Sequence, residues 1–290
     1  MDFRNGKELL DLCREHNLLI SEVMREREIT CGNMTNEQIN ARLKEILTIM
    51  KNAAHTPLET PTRSIGGLIG GEAKKTYEFS QTDNNLCGTF LSKAISYGMA
   101  VLEVNATMGL IVAAPTAGSA GVLPGVLLSL QEDRNLSDEA ICSAIVHASA
   151  IGYILMRNAS VSGAEAGCQA EVGAASAMAA SAVVELMGGT PEMSLHAASI
   201  ALSNLLGMVC DPIAGLVEAP CQSRNAIGAA NAITCAQLAL AGVTHPIPFD
   251  EMAEAMYHVG KSIPFELRET AMGGNAGTPT ACTLCGGCCK

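Results

Sequence analysis

The sequence predicts an all-α protein, a compact multi-helix domain with buried Ala/Gly-rich helices and Gly-rich active-site loops. Three observations predict it. Strand signals are nearly absent, helix-start signals recur along the chain, and the core must be built from small side chains. The 290 residues carry no Trp and only five Phe and four Tyr, against 28 Gly and 14 Met. Small and flexible side chains let helices lie close together, whereas a β-sandwich leans on β-branched and aromatic residues. The length suits one domain over residues 1–290 with a substantial core.

Taken in order, the first fifty-odd residues read as two amphipathic helices, roughly Gly6–Glu28 and Asn36–Ala54. They form a charged peripheral layer over residues 1–54, the second helix opening with Thr35 and Gln38 in capping-box spacing. His55–Gly71, containing TPLETPTRSIGGLIGG, is a loop whose backbone needs glycine conformations. From Leu86 onward helix follows helix, one of them expected over Gly121–Leu130. Starts are marked by Ser137 before Asp138 and Glu139, by Thr190 before Pro191 and Glu192, and by Asp250 before Glu251. The Ala/Ser/Gly-rich helix expected over Glu171–Met187 permits close backbone approach and burial on all sides. Residues 281–290 form a Cys-rich tail, and no repeat of solenoid length is present.

Composition narrows the function. With 18 Lys and Arg against 29 Asp and Glu, the net charge is −11, and no basic stretch is long enough to track a phosphate backbone, so no nucleic-acid partner is expected. The uncharged runs Val104–Gln131 and Asn225–Phe249 are broken by Gly, Pro, Asn, Thr, Gln or His and lack an aromatic belt, so no membrane span is expected. The N-terminus is charged from its second residue and lacks the apolar core of a secretory signal, which makes a cytoplasmic location the expectation. In that reducing compartment twelve cysteines argue for metal or redox chemistry over a disulfide framework, with some serving as small buried hydrophobes. No lysine occurs between Ala94 and Gly260, the segment rich in glycine and buried-looking sequence. A Schiff-base cofactor needs a lysine in such a pocket, and Lys74 and Lys75 sit in a charged neighbourhood, so chemistry without pyridoxal phosphate (PLP) is expected.

Three cysteines stand in Gly-bearing polar contexts: Cys168 in SGAEAGCQAEVG, Cys210 in LLGMVCDPIAG and Cys221 in EAPCQSRN. Three thiolates on a metal leave one position open for water or substrate. Their separations match no local metal-binding pattern, and buried structural cysteines are the competing interpretation. The Pro115–Gly121 segment, PTAGSAG, sets Thr116 and Ser119 among small residues where backbone N–H groups can face an anion. It is the candidate seat of a substrate carboxylate, or else a helix-entry turn with a capping hydroxyl. The loop carrying Ser64 is a second candidate for that duty, and the Asn105 amide a candidate for orienting the substrate. Asp211 and Glu218 flank the cysteines in apolar sequence, able to hold ligand-bearing loops or a substrate ammonium, with an N-cap at Asp211 as the alternative. Arg157 and Arg224 are candidate partners for the carboxylate, or solvated helix residues. None of the six histidines lies in a motif that explains it.

Three long segments identify the chain with a family: NATMGLIVAAPTAGSAGVLPGVL (Asn105–Leu127), SGAEAGCQAEVGAASAMAA (Ser162–Ala180) and GMVCDPIAGLVEAPCQSRNA (Gly207–Ala226). They resemble the alpha subunit of the iron–sulfur-dependent L-serine dehydratases, a likeness running from Ser64 to Arg268. The resemblance implies a mostly helical subunit that converts L-serine to pyruvate and ammonia in amino-acid degradation. It implies a [4Fe-4S] cluster on Cys168, Cys210 and Cys221, acting as a Lewis acid on the serine hydroxyl rather than carrying electrons. It also implies a hetero-oligomer, in which a beta subunit supplies a histidine near the active site. In fused relatives a C-terminal cysteine occupies the fourth iron, and Cys282, Cys285, Cys288 and Cys289 in TACTLCGGCCK are the candidates for that place here. Two alternatives stand beside this one: an L-cysteine desulfidase using a similar cluster, to which soft sulfur binds well, and a non-enzymatic metal-binding scaffold relying on the tail.

Overall fold

A computed structural model describes residues 1–284. The described residues form thirteen α-helices and contain no strand beyond an isolated bridge between Cys210 and Arg268. The all-α expectation holds.

Local chemistry sets the helix ends. Helix α1 (Gly6–His16) is capped by the Asn5 side chain, which accepts from the Glu8 N–H, and it ends at Asn17 in the left-handed region at φ 53°. Asn tolerates that conformation better than other side chains do, so the single helix expected over Gly6–Glu28 is two, with α2 running Ile20–Thr30. Helix α3 (Asn36–Glu59) opens with the Thr35/Gln38 capping box and continues past Ala54 through Pro57. These three helices are charged outside, but Phe3, Leu9, Ile20, Val23 and Leu47 belong to the same hydrophobic core as the rest of the chain. The peripheral layer is therefore also a wall of the core.

Next come α4 (Glu72–Ser80), α5 (Gly88–Ala106), α6 (Val122–Arg134) and α7 (Asp138–Asn158). The remainder are α8 (Gly163–Ala166), α9 (Ala174–Leu186), α10 (Pro191–Asn204), α11 (Cys221–Leu240), α12 (Phe249–Ser262) and α13 (Pro279–Leu284). Ser137 and Thr190 cap α7 and α10 as expected. Asp250 does not cap its own helix. It lies inside α12, and its carboxylate accepts from the Gly6 and Lys7 N–H groups at 2.6 and 2.9 Å, capping α1 across the molecule. A carboxylate there also faces the positive end of the α1 dipole.

Helix α9 is the centre of the molecule. Every residue from Ala174 to Val184 is buried, and its Ala/Ser surface lets α6, α7, α10 and α11 approach. The expected start at Glu171 is a π-helical turn over Gln169–Gly173 that leads into α9. Helices α5 and α6 meet at glycines. A Cβ on Gly125 would lie 2.7 Å from the Ala94 carbonyl and 3.0 Å from the Gly98 nitrogen, and one on Gly121 would collide with the Gly98 carbonyl. Helix α7 is long and apolar enough to cross a bilayer by length and composition, but it packs against α2 and α9 as a core helix.

Candidate metal centre

The π turn and two loops build one buried pocket. A π turn adds a residue to the helical circuit and re-aims its side chains, a device common at functional sites. Here it carries Glu171 beside Cys168, with Gln169 tying the turn to the loop bearing Cys210. The Gln169 N–H donates to the Met208 carbonyl at 3.0 Å, and the Gln169 Oε1 accepts from the Gly207 N–H at 2.9 Å. Cys210 is held from its other side by residues 265–269. Its N–H donates to the Leu267 carbonyl at 2.9 Å, and its carbonyl accepts from the Glu269 N–H at 2.6 Å.

The result is a group of ligand atoms from Cys168, Glu171 and Cys210 that all lie within 4.8 Å of one another. The two thiols are each 2% exposed and Glu171 9%. Glu171 Oε1 accepts from the Thr116 hydroxyl at 2.6 Å, while Oε2 meets only sulfur, 3.7 Å from Cys210 Sγ and 3.9 Å from Cys168 Sγ. Cys221, at the first position of α11 and buried, lies outside that tight group but close to it. Burial first, and then the charges of Cys168 and Glu171, raise its thiol to about 12. The Cys210 thiol is pushed far above its ordinary value by its hydrogen bond with Cys168 and by burial. Burial likewise raises the Glu171 carboxyl, against the Thr116 bond. Two buried thiols that resist ionisation in the protein alone, Cys210 and Cys221, together with Cys168 and a carboxylate, form a donor set that could hold a metal, since a cation restores what burial removes. These residues fit an iron–sulfur or other thiolate-bound centre.

Arg224, one turn along α11 from Cys221, supplies the nearby positive charge. Its guanidinium donates to Cys168 Sγ at 3.4 Å and the Val209 carbonyl at 2.9 Å, and pairs with Asp211 at 2.7 Å. Against burial, Cys168 and Asp211 raise its basicity. Asp211 is no helix cap; its second oxygen accepts from the Asn275 backbone N–H at 2.6 Å and side-chain amide at 2.9 Å. Arg224 is thus engaged with Cys168 and Asp211, and Arg157 lies exposed at the surface.

The other expected residues sit in a partnered frame. Ser64 donates to Glu218 at 2.6 Å, and the same buried carboxylate accepts from Gly66 and Leu68 N–H at 2.7 and 2.9 Å, pinning the glycine loop to the turn before Cys221. Thr116 is committed to Glu171, and Ser119, fully buried, lies 3.2 Å from the Thr116 hydroxyl. The Gly121 N–H donates to Asn225 Oδ1 at 2.9 Å, so the start of α6 is closed to an anion. Asn105 is half-buried in the last turn of α5, and among the described residues its side chain makes no hydrogen bond. Cys282 is half-buried on α13 and outside the cysteine group; Cys285, Cys288 and Cys289 lie outside the described residues. No histidine joins the pocket. His147, the most buried, is engaged by Ser181 at 2.7 Å and Glu185 at 2.8 Å. Glu171 is the residue that sequence reasoning passed over, although a lone carboxylate three positions after Cys168 in an uncharged Ala-rich run was a visible signal.

The chain is similar to several known proteins. The probable L-serine dehydratase alpha chain of Bacillus subtilis is 49% identical over 278 residues, 96% of this chain and 92% of that one. The L-serine dehydratase alpha chain of Peptoniphilus asaccharolyticus is 45% identical over 275 residues, 95% and 94% of the two chains. A longer relative, the L-serine dehydratase of Helicobacter pylori, is 37% identical over 285 residues, 96% of this chain and 62% of its own length. A family model described as serine dehydratase alpha chain matches residues 15–276, and with that span and these identities the chain belongs to the serine dehydratase alpha chain family.

Proposed function

We propose that this chain is the catalytic alpha chain of an L-serine dehydratase, a cytoplasmic lyase that forms pyruvate and ammonia at a [4Fe-4S] cluster without PLP. The observation that carries the proposal is the convergence of Cys168, Glu171 and Cys210 within 4.8 Å at a buried position, with Cys221 buried at the start of α11. When bound, the cluster supplies a Lewis-acidic iron that eases departure of the serine hydroxyl. The chain's own residues hold and frame the cluster. Cys168, Cys210 and Cys221 hold the cluster as thiolates, and Arg224 offsets part of their charge through its bond to Cys168. The Glu218 carboxylate fixes the Ser64 loop as one wall. The substrate carboxylate is assigned to the Pro115–Gly121 turn. There the Thr116 and Ser119 hydroxyls are engaged within the protein, so the Ala117 and Gly118 N–H groups, the first of a short helical turn, are the donors left to receive it. No imidazole of this chain reaches the pocket, so the base that takes the α-proton is assigned to a separate beta chain, the partner that the relatives' designation as alpha chains implies.

Anaerobic expression with quantitation of iron and sulfide tests the proposal. Cys168→Ser, Cys210→Ser and Cys221→Ser should each lose most bound iron and all serine-dependent pyruvate formation. Deletion of residues 282–290 should leave the iron in place. Iron retained in all three serine variants and lost on the deletion would refute it in favour of a tail-based scaffold. Full turnover by the alpha chain alone would refute the assignment of the base to a partner.

A further inference from the structure

Glu171 is a buried carboxylate with half of its hydrogen-bonding capacity unmet. One oxygen takes the Thr116 hydroxyl at 2.6 Å. Among the described residues the other has no N–H or O–H donor and faces two thiols, at 3.7 and 3.9 Å, which are weak donors at best. An ionised carboxylate stripped of water needs a counter-charge or strong donors. The Arg224 guanidinium makes no hydrogen bond to it, being spent on Asp211, Cys168 and the Val209 carbonyl.

The surroundings are shaped to keep this carboxylate where it is. Gly118 lies against one oxygen, its missing Cβ only 3.1 Å from Oε1. A Cβ at Gly163 would collide with the carboxylate and lie 2.9 Å from Cys210 Sγ. Ligating carboxylates are characteristically held by a hydrogen bond to their second oxygen, which is what Thr116 provides.

We propose that Glu171 is an oxygen ligand of the metal centre, occupying through Oε2 the position that three cysteine ligands leave free until substrate arrives. This rests on the iron–sulfur reading above and deepens it. Thr116 and the two glycines are then positioning residues for that ligand. A carboxylate is a harder and more exchangeable ligand for iron than a thiolate, which suits a position that the substrate oxygen must later take.

The test is Mössbauer spectroscopy of iron-57-enriched, anaerobically prepared full-length chain, with iron and sulfide counted in parallel. The wild type should show one iron distinct from the others, with parameters of oxygen ligation. Glu171→Gln should shift the parameters of that iron, whose place water or the amide oxygen then takes, while iron and sulfide per chain stay unchanged because the three thiolates remain. A variant with Cys282, Cys285, Cys288 and Cys289 all changed to Ser should keep the wild-type parameters. If Glu171→Gln instead sheds its iron, Glu171→Asp decides, with a retained but shifted oxygen-ligated signal supporting the assignment and its absence from an intact cluster overturning it. A wild-type cluster whose spectrum is unaltered by Glu171→Gln, or whose distinct iron vanishes only in the tail variant, would overturn the role of Glu171 alone. Wild-type protein without iron and sulfide would overturn the iron–sulfur reading and this assignment with it.

Discussion

Replacing Asp211 by Asn removes the negative charge that faces Arg224 beside the buried cysteines. The carboxylate is 2% exposed and the Arg224 side chain 15%, with 2.7 Å between them. An asparagine oxygen can still accept from the Asn275 amide groups, but its amide nitrogen then faces the Arg224 guanidinium, donor against donor. A largely buried guanidinium thereby loses both its counter-ion and one acceptor. Removing one partner of a buried pair costs about 3–5 kcal/mol. The lower end applies here, because Arg224 keeps the Val209 carbonyl and Cys168 Sγ as acceptors. Urea unfolding of the anaerobic, metal-free chain is the assay, with wild type, Asp211→Asn, Arg224→Gln and the double variant compared at equal slope. The double variant should recover part of the loss, since neither charge is then stranded. A loss below about 1 kcal/mol for Asp211→Asn, or strict additivity in the double variant, would show that the pair is no more than a surface contact and refute the reasoning.

Further outcomes follow from the packing and the titrating groups. Gly125→Ala forces a Cβ against the Ala94 carbonyl at 2.7 Å and should cost about 1–3 kcal/mol by overpacking. Gly173→Ala, whose Cβ would meet nothing closer than 3.8 Å, should unfold within a few degrees of wild type in a thermal scan. Ser64→Ala strips a buried carboxylate of its hydroxyl donor and should lower stability by about 1–3 kcal/mol, with faster proteolysis within the 64–71 loop as the second measurement. The imidazole of His55 is raised above its ordinary value first by its bond to Glu132, so its contribution is complete below about pH 6.5 and fades as pH climbs through the raised value. The stability gap between wild type and His55→Gln, followed by denaturant titration across that range, should therefore narrow with rising pH; a gap that widens would contradict the assignment.

Much of the architecture was legible because capping is local. Thr35 with Gln38, Ser137 and Thr190 announce their helices within four residues, and the structure uses them as written. The break at Asn17 escaped notice because one polar residue in a continuous amphipathic pattern carries little signal. Asp250 looked like a cap and is one, for a helix about 240 residues away, a pairing that only tertiary structure creates. At the site, Cys168 and Cys210 were identified through motif resemblance and the fold joins them. Glu171 and Arg224 owe their roles to the π turn and to the first turn of α11, neither of which a hydropathy pattern records. Thr116 was expected to face a substrate; it holds a carboxylate of the protein itself.

The isolated bridge beside Cys210 bears on how the centre matures. Cys168 and Cys210 leave the ribosome long before Leu267 and Glu269, whose backbone groups fix the Cys210 peptide, and before Asn275, which seats Asp211. A nascent chain lacking those later residues has its sulfur donors but not the scaffold that aims them. The setting of Cys210 and Asp211 is thus complete only once residues 267–275 have been made.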